Sequence, residues 1–120
     1  MAVADNNARR IVFTGAAGGI GTMIRPLLAK AYPGLILSDK VEPQNLRPGE
    51  TFVAADLAKP EEVAAAVEGA DAVIHLGGYS VEGPWDAILQ SNIVGCYNLF
   101  EAARQAGVKR VVFASSNHAV

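Results

Sequence analysis

The sequence predicts an α/β protein: a doubly wound, parallel sheet with helices on both faces. Three observations carry that prediction. Five short apolar runs read as strands, and the first, at 10–14, lacks apolar–polar alternation, as a strand covered on both faces does. Residues at helical spacing lie between most of these runs. The runs end in glycines or polar side chains, where open parallel sheets bind ligands.

The elements follow in order. Residues 1–8 are small and polar and are expected to form a flexible terminus ahead of a domain over 9–120. Residues 10–14, R-I-V-F-T, are a β-branched and aromatic run stopped by Gly15. From 19 to 31, Ile20, Met23, Ile24, Leu27, Leu28 and Ala31 recur at spacings of three and four, predicting a helix with one buried stripe. Pro26 inside it is expected to kink the helix or shift its start. Residues 35–38 are the second apolar run, and 41–50, with Pro43, Asn45, Pro48 and Gly49, read as loop. Residues 51–55 form a third strand. Pro60-Glu61-Glu62 opens a second helix, proline and carboxylates both suiting a first turn, and Gly69 ends it. Residues 72–76 are a fourth strand, 85–106 a long helix closed by Gly107, and 111–114 a fifth strand. With one short or missing crossover, this order gives a sheet of about five strands arranged 3-2-1-4-5.

Composition narrows the function classes. The 120 residues are 51% apolar, enough to offset ordering entropy and to exclude disorder. Ten basic against twelve acidic residues leave no electrostatic footprint for nucleic acid or an anionic membrane. No apolar run approaches the roughly 18 residues of a membrane helix. The first ten residues lack the apolar centre of a signal peptide. Cys96, the only cysteine, makes no internal disulfide, so a reducing cytoplasmic setting is expected.

The chemistry is read at the strand ends. After the first strand, T-G-A-A-G-G-I-G places Gly15, Gly18 and Gly21 between an apolar strand and an amphipathic helix. Glycine permits the tight turn, and missing side chains let a pyrophosphate approach backbone amides at a positive helix end. No Gly-Lys-Ser/Thr follows, so a P-loop is excluded. Asp39, after the second strand, can accept both hydroxyls of an adenosine ribose and repel a 2′-phosphate, favouring NAD. Lys40 and Arg47 keep NADP as an alternative. Asp56 either accepts from adenine or simply holds a turn. Gly77 and Gly78 suggest close backbone approach, and His75 before them reads as a satisfied core histidine. Ser115, Ser116, Asn117 and His118 after the fifth strand can orient a polyhydroxylated, carboxylated substrate. No nucleophile triad is supported. His75, His118 and Cys96 lack metal-ligand spacing, so no metal is expected. Cys96 reads as a buried helix thiol, and Asn92 as support for the strand-five loop or a solvated amide.

Together, T-G-A-A-G-G-I-G, Asp39, A-D-L at 55–57, H-L-G-G at 75–78, N-I-V-G-x-x-N-L-F-E-A-A-R at 92–104 and V-K-R-V-V-F-A-S-S at 108–116 resemble the extended short-chain dehydrogenase/reductase family. The family has a Rossmann fold and includes NAD-dependent sugar epimerases and dehydratases. H-L-G-G-Y-S-V-E-G-P-W at 75–85 and S-S-N-H at 115–118 most resemble its branch that oxidises galacturonate or glucuronate to an aldarolactone. The resemblance implies that Gly15, Gly18, Gly19, Ile20 and Gly21 hold the NAD pyrophosphate and Asp39 the adenosine ribose. It puts Asp56 and Leu57 at the adenine, and Leu76, Gly77 and Gly78 at the inner phosphate and ribose. It makes Ser116 the catalytic hydroxyl, and Ser80, Asn117 and His118 contacts to a small sugar acid. The long helix, with Gly95, Leu99, Ala102, Ala103 and Ala106 on one side, resembles the family's dimer-forming helix; that face either forms a homo-oligomer or packs on the sheet. One departure matters. Tyr32, Tyr79 and Tyr97 are followed four positions on by Ile36, Gly83 and Glu101, so the family's Tyr-x-x-x-Lys is not in these 120 residues. The cofactor domain is therefore expected to break off before the helix bearing that motif and before the substrate half. A nucleotide-sugar epimerase or dehydratase, or a non-catalytic NAD(P) sensor, are the alternative readings.

Overall fold

The computed structural model describes residues 9–116. Strand β1 (Ile11–Thr14) leads into helix α1 (Gly19–Ala31), then β2 (Ile36–Asp39) and β3 (Thr51–Ala54). Helix α2 (Pro60–Val67) and β4 (Ala72–His75) follow. A long helical stretch then runs as α3 (Trp85–Ile88), a π-helical segment (Leu89–Val94) and α4 (Gly95–Ala106), before β5 (Arg110–Phe113). The sheet order is β3-β2-β1-β4-β5, every pairing parallel, as expected of a Rossmann-like fold. Successive strands build outward from the centre in both directions, β1 leading to β2 and β4 to β5, so the switch point lies between β1 and β4.

Alternate residues of each strand face opposite helical layers. Val12, Ile36 and Val73 pack with Val63, Val67, Leu99 and Ala102 from α2 and α4. Ile11, Phe13, Leu35 and Leu37 face the other way, against Ile24 and Leu28 of α1. Full burial of β1 explains its unbroken apolar run.

Two elements depart from the expected pattern. Helix α1 starts at Gly19 and continues through Pro26, but its apolar residues do not form one buried stripe. Ile24 and Leu28 reach the core, whereas Ile20, Met23 and Leu27 are 63%, 73% and 65% exposed. The buried face is shared instead by Gly21 and Arg25. The long helix has the expected extent, but Leu89–Val94 is wound as a π-helix. As the sequence predicts for 41–50, residues 40–50 carry no helix or strand, so β2 and β3 are joined by a loop. Gly107, at φ +73°, caps α4 as expected.

Candidate functional site

The turn from β1 into α1 is held by contacts only glycine allows. Gly15 has φ +73°, and a Cβ there would lie 2.7 Å from the Gly77 nitrogen and the Leu76 carbonyl carbon. A Cβ on Gly21 would strike the Gly15 carbonyl, so the helix closes directly onto the turn. Gly19 differs: an added Cβ would meet nothing within 4 Å. The chain's own packing places no demand on that glycine, and Gly19 lines the cleft. Gly18 caps α1 without a side-chain bond. The amides of Gly19, Ile20 and Gly21 lie in a first turn, whose N–H groups have no partner inside the helix. Open amides at a positive helix end, with no side chain in the way, fit a pyrophosphate.

Asp39 ends β2 beside this turn. Its Oδ2 accepts the Ala17 N–H at 3.0 Å and its Oδ1 the Lys40 N–H at 2.7 Å. A carboxylate has about four acceptor positions, so capacity remains for a ligand hydroxyl. Asp56 does hold a turn: its Oδ1 accepts the Ala58 N–H at 2.9 Å, and its own N–H donates to Glu62 Oε1 at 2.9 Å. The Leu57 side chain lies against Gly77 and Gly95, where added Cβ atoms would come within 2.9 and 2.8 Å of it.

The loop after β4 is braced from below and from the side. The Gly77 N–H donates to Thr14 Oγ1 at 3.1 Å, and that hydroxyl lies 2.6 Å from His75 Nδ1. His75 is buried, stacked on Phe113 at 5.8 Å, and burial pushes its pKa down from 6.5 to about 4. It is the satisfied core histidine the sequence suggested. Asn92 Oδ1 accepts the Tyr79 N–H at 2.6 Å, and its Nδ2 donates to the Tyr79 carbonyl at 2.9 Å. Asn92 therefore supports the strand-four loop and is not a solvated amide. Cys96 is half-buried at the cleft, more open than the expected core thiol.

These strand ends enclose one cleft of about 720 Å³. It brings together Gly15, Gly18, Gly19, Ile20, Gly21, Asp39, Asp56, Leu57, Leu76, Gly77, Gly78, Ser80 and Ser116. Asn117 and His118 lie outside the described residues. Sequence reasoning missed Thr14 and the target of Asn92. Thr14 carries a signal in hindsight: it is the one polar residue of a fully buried strand. Among the described residues, no three His, Cys, Asp or Glu side chains gather as a metal site, and no helix is long and apolar enough to cross a membrane.

A glycine turn, a carboxylate at the end of β2 and a cleft at the switch point define a dinucleotide-binding α/β domain by class. The chain belongs to the NAD dependent epimerase/dehydratase family, whose sequence profile matches residues 11–120. Among its relatives, the uronate dehydrogenase of Pseudomonas syringae pv. tomato is 46% identical over 115 residues, 92% of this chain and 41% of that protein. The crystal structure of Agrobacterium tumefaciens uronate dehydrogenase, as a Y136A mutant complexed with NAD, superposes with TM-score 0.87 at 48% identity. It matches 93% of this chain and 42% of its own. A glucuronic acid dehydrogenase from Chromohalobacter salexigens gives TM-score 0.87 at 51% identity, over 93% of this chain and 42% of that one. The chain thus spans well under half the length of these relatives.

Proposed function

We propose that this chain is the NAD-binding part of a dehydrogenase that oxidises a hexuronate, galacturonate or glucuronate, at its anomeric carbon. The observation that carries the cofactor assignment is the first turn of α1, with open amides and a Gly19 that no protein contact requires. Gly15, Gly18, Gly19, Ile20 and Gly21 would hold the pyrophosphate, and Asp39 the adenosine ribose. Asp56 and Leu57 flank the adenine, while Leu76, Gly77 and Gly78 line the inner phosphate and ribose. Bound NAD supplies the hydride acceptor. By the resemblance, Ser116 would hydrogen-bond the sugar oxygen, and Ser80, Asn117 and His118 would orient the acid. The uronate specificity rests on the similarity to uronate dehydrogenases.

Proton abstraction in this family falls to a Tyr-x-x-x-Lys pair, in which lysine lowers the tyrosine pKa. These 120 residues hold no such pair, so they are expected to bind NAD without turning over the sugar. Long-helix side chains such as Tyr97 and Phe100, 68% and 42% exposed, offer a surface for a homo-oligomer. A cytoplasmic setting suits the single thiol. Calorimetric titration of the chain with NAD, followed by galacturonate with NADH absorbance recorded, tests the reading. It predicts saturable NAD binding and no enzyme-like NADH production. No NAD binding overturns the cofactor assignment, and NADH formed at an enzyme-like rate overturns the need for further residues.

A further inference from the structure

We propose that Arg25 and Glu50 form a positioning pair that fixes the adenosine side of the cleft; this rests on the dinucleotide reading above. The two are remote in sequence and both buried, with side chains 5% and 0% exposed. Arg25 Nη2 donates to Glu50 Oε1 at 2.7 Å, and Nε to both Glu50 oxygens at 3.2 Å. The same guanidinium donates from Nη1 to the Gln44 carbonyl at 2.9 Å and from Nη2 to the Asn45 carbonyl at 2.8 Å. Glu50 Oε1 also accepts the Arg47 N–H at 2.7 Å. One side chain of α1 therefore gathers three residues of the loop that replaces a crossover helix, and Glu50 holds a fourth, Arg47.

The position of that loop gives the pair its consequence. It starts at Lys40, directly after Asp39, and Asp39, Lys40 and Val41 all line the cleft. Arg25 sits on the helix whose first turn carries the open amides, so the pair ties the pyrophosphate cradle to the adenosine wall. Stability alone does not call for such a pair. Apolar residues of similar volume generally serve a core as well as a desolvated ion pair, or better. Lysine cannot replace the arginine, because it lacks the planar fork that reaches both carbonyls and the carboxylate together.

The test measures NAD and NADP affinities of the chain by calorimetry for wild type, R25K, E50Q and the double variant R25M/E50M. The double variant leaves no buried charge unpaired and is read if the single variants do not fold. Relaxing the wall weakens the ribose contact of Asp39 with NAD and eases its repulsion of the 2′-phosphate. R25K is expected to bind NAD about tenfold more weakly. The ratio of NADP to NAD dissociation constants should narrow in every folded variant. Lower stability alone scales both affinities by the same folded fraction and leaves this ratio unchanged. An unchanged ratio in folded variants overturns the positioning role. Absence of NAD binding by wild type overturns the dinucleotide reading instead.

Discussion

The Thr14 hydroxyl accepts the Gly77 N–H and pairs with His75 Nδ1 at 2.6 Å, so the buried imidazole is hydrogen-bonded within the strand-end network. Burial holds that ring neutral by pushing its pKa from 6.5 to about 4. An unfolded chain takes up the proton near pH 6.5 and the folded one only near 4, so stability must fall as pH drops through that window. The loss is on the order of 3 kcal/mol at most. Glu50 acts in a lower window. Burial alone would raise its pKa, but hydrogen bonds from Arg25 and the Arg47 N–H, with both positive charges, hold it below 4.5. Its contribution is present above the ordinary carboxylate range and is lost on further acidification. Melting curves between pH 7 and about 5 should fall for wild type and stay nearly level for H75N. Equal slopes for the two proteins would show that His75 does not set this dependence. His75 was legible as a core residue because it ends an apolar strand. Arg25 was not, since a lone arginine among helix-spaced leucines reads as a solvated side chain and its partner lies 25 positions away.

At the scale of elements, the strands were legible to within a residue or so. An unbroken apolar run leaves little freedom where both faces are covered, as in β1, whereas β3 and β5 are half-buried to exposed. The π-helical segment Leu89–Val94 was not, because its residues suit a plain α-helix equally well. Widened turns of this kind recur at functional sites. Asn92 lies in this one and clasps both backbone groups of Tyr79, next to Gly78, which has φ +154°. N92A removes two hydrogen bonds, each worth about 1 kcal/mol, so hydrogen exchange at the Tyr79 amide should quicken by about tenfold or more. Exchange unchanged from wild type would mean that the loop holds itself. The exposed side of α1 shows a different limit of sequence reading. Helical spacing reveals that a face is apolar, yet not whether anything covers it, and Ile20, Met23 and Leu27 stay exposed here.

Across the whole molecule, two apolar layers flank a five-stranded parallel sheet, and the side chains with chemistry collect at the carboxyl ends of its strands. Strand order and the location of the cleft were both legible, because the glycine turn and Asp39 mark those ends unambiguously. Less could be read of the sugar side, which leans on family resemblance. The cofactor assignment puts the dinucleotide pyrophosphate at the open first turn of α1. G19A tests it most directly, since the added methyl meets no protein atom within 4 Å. Alanine also suits a helix better than glycine, by up to about 1 kcal/mol. Titration with NAD alongside thermal melting should find G19A at least as stable as wild type yet binding NAD at least about tenfold more weakly. Equal NAD affinity in the two proteins, both fully folded, would show that the pyrophosphate does not sit on this turn.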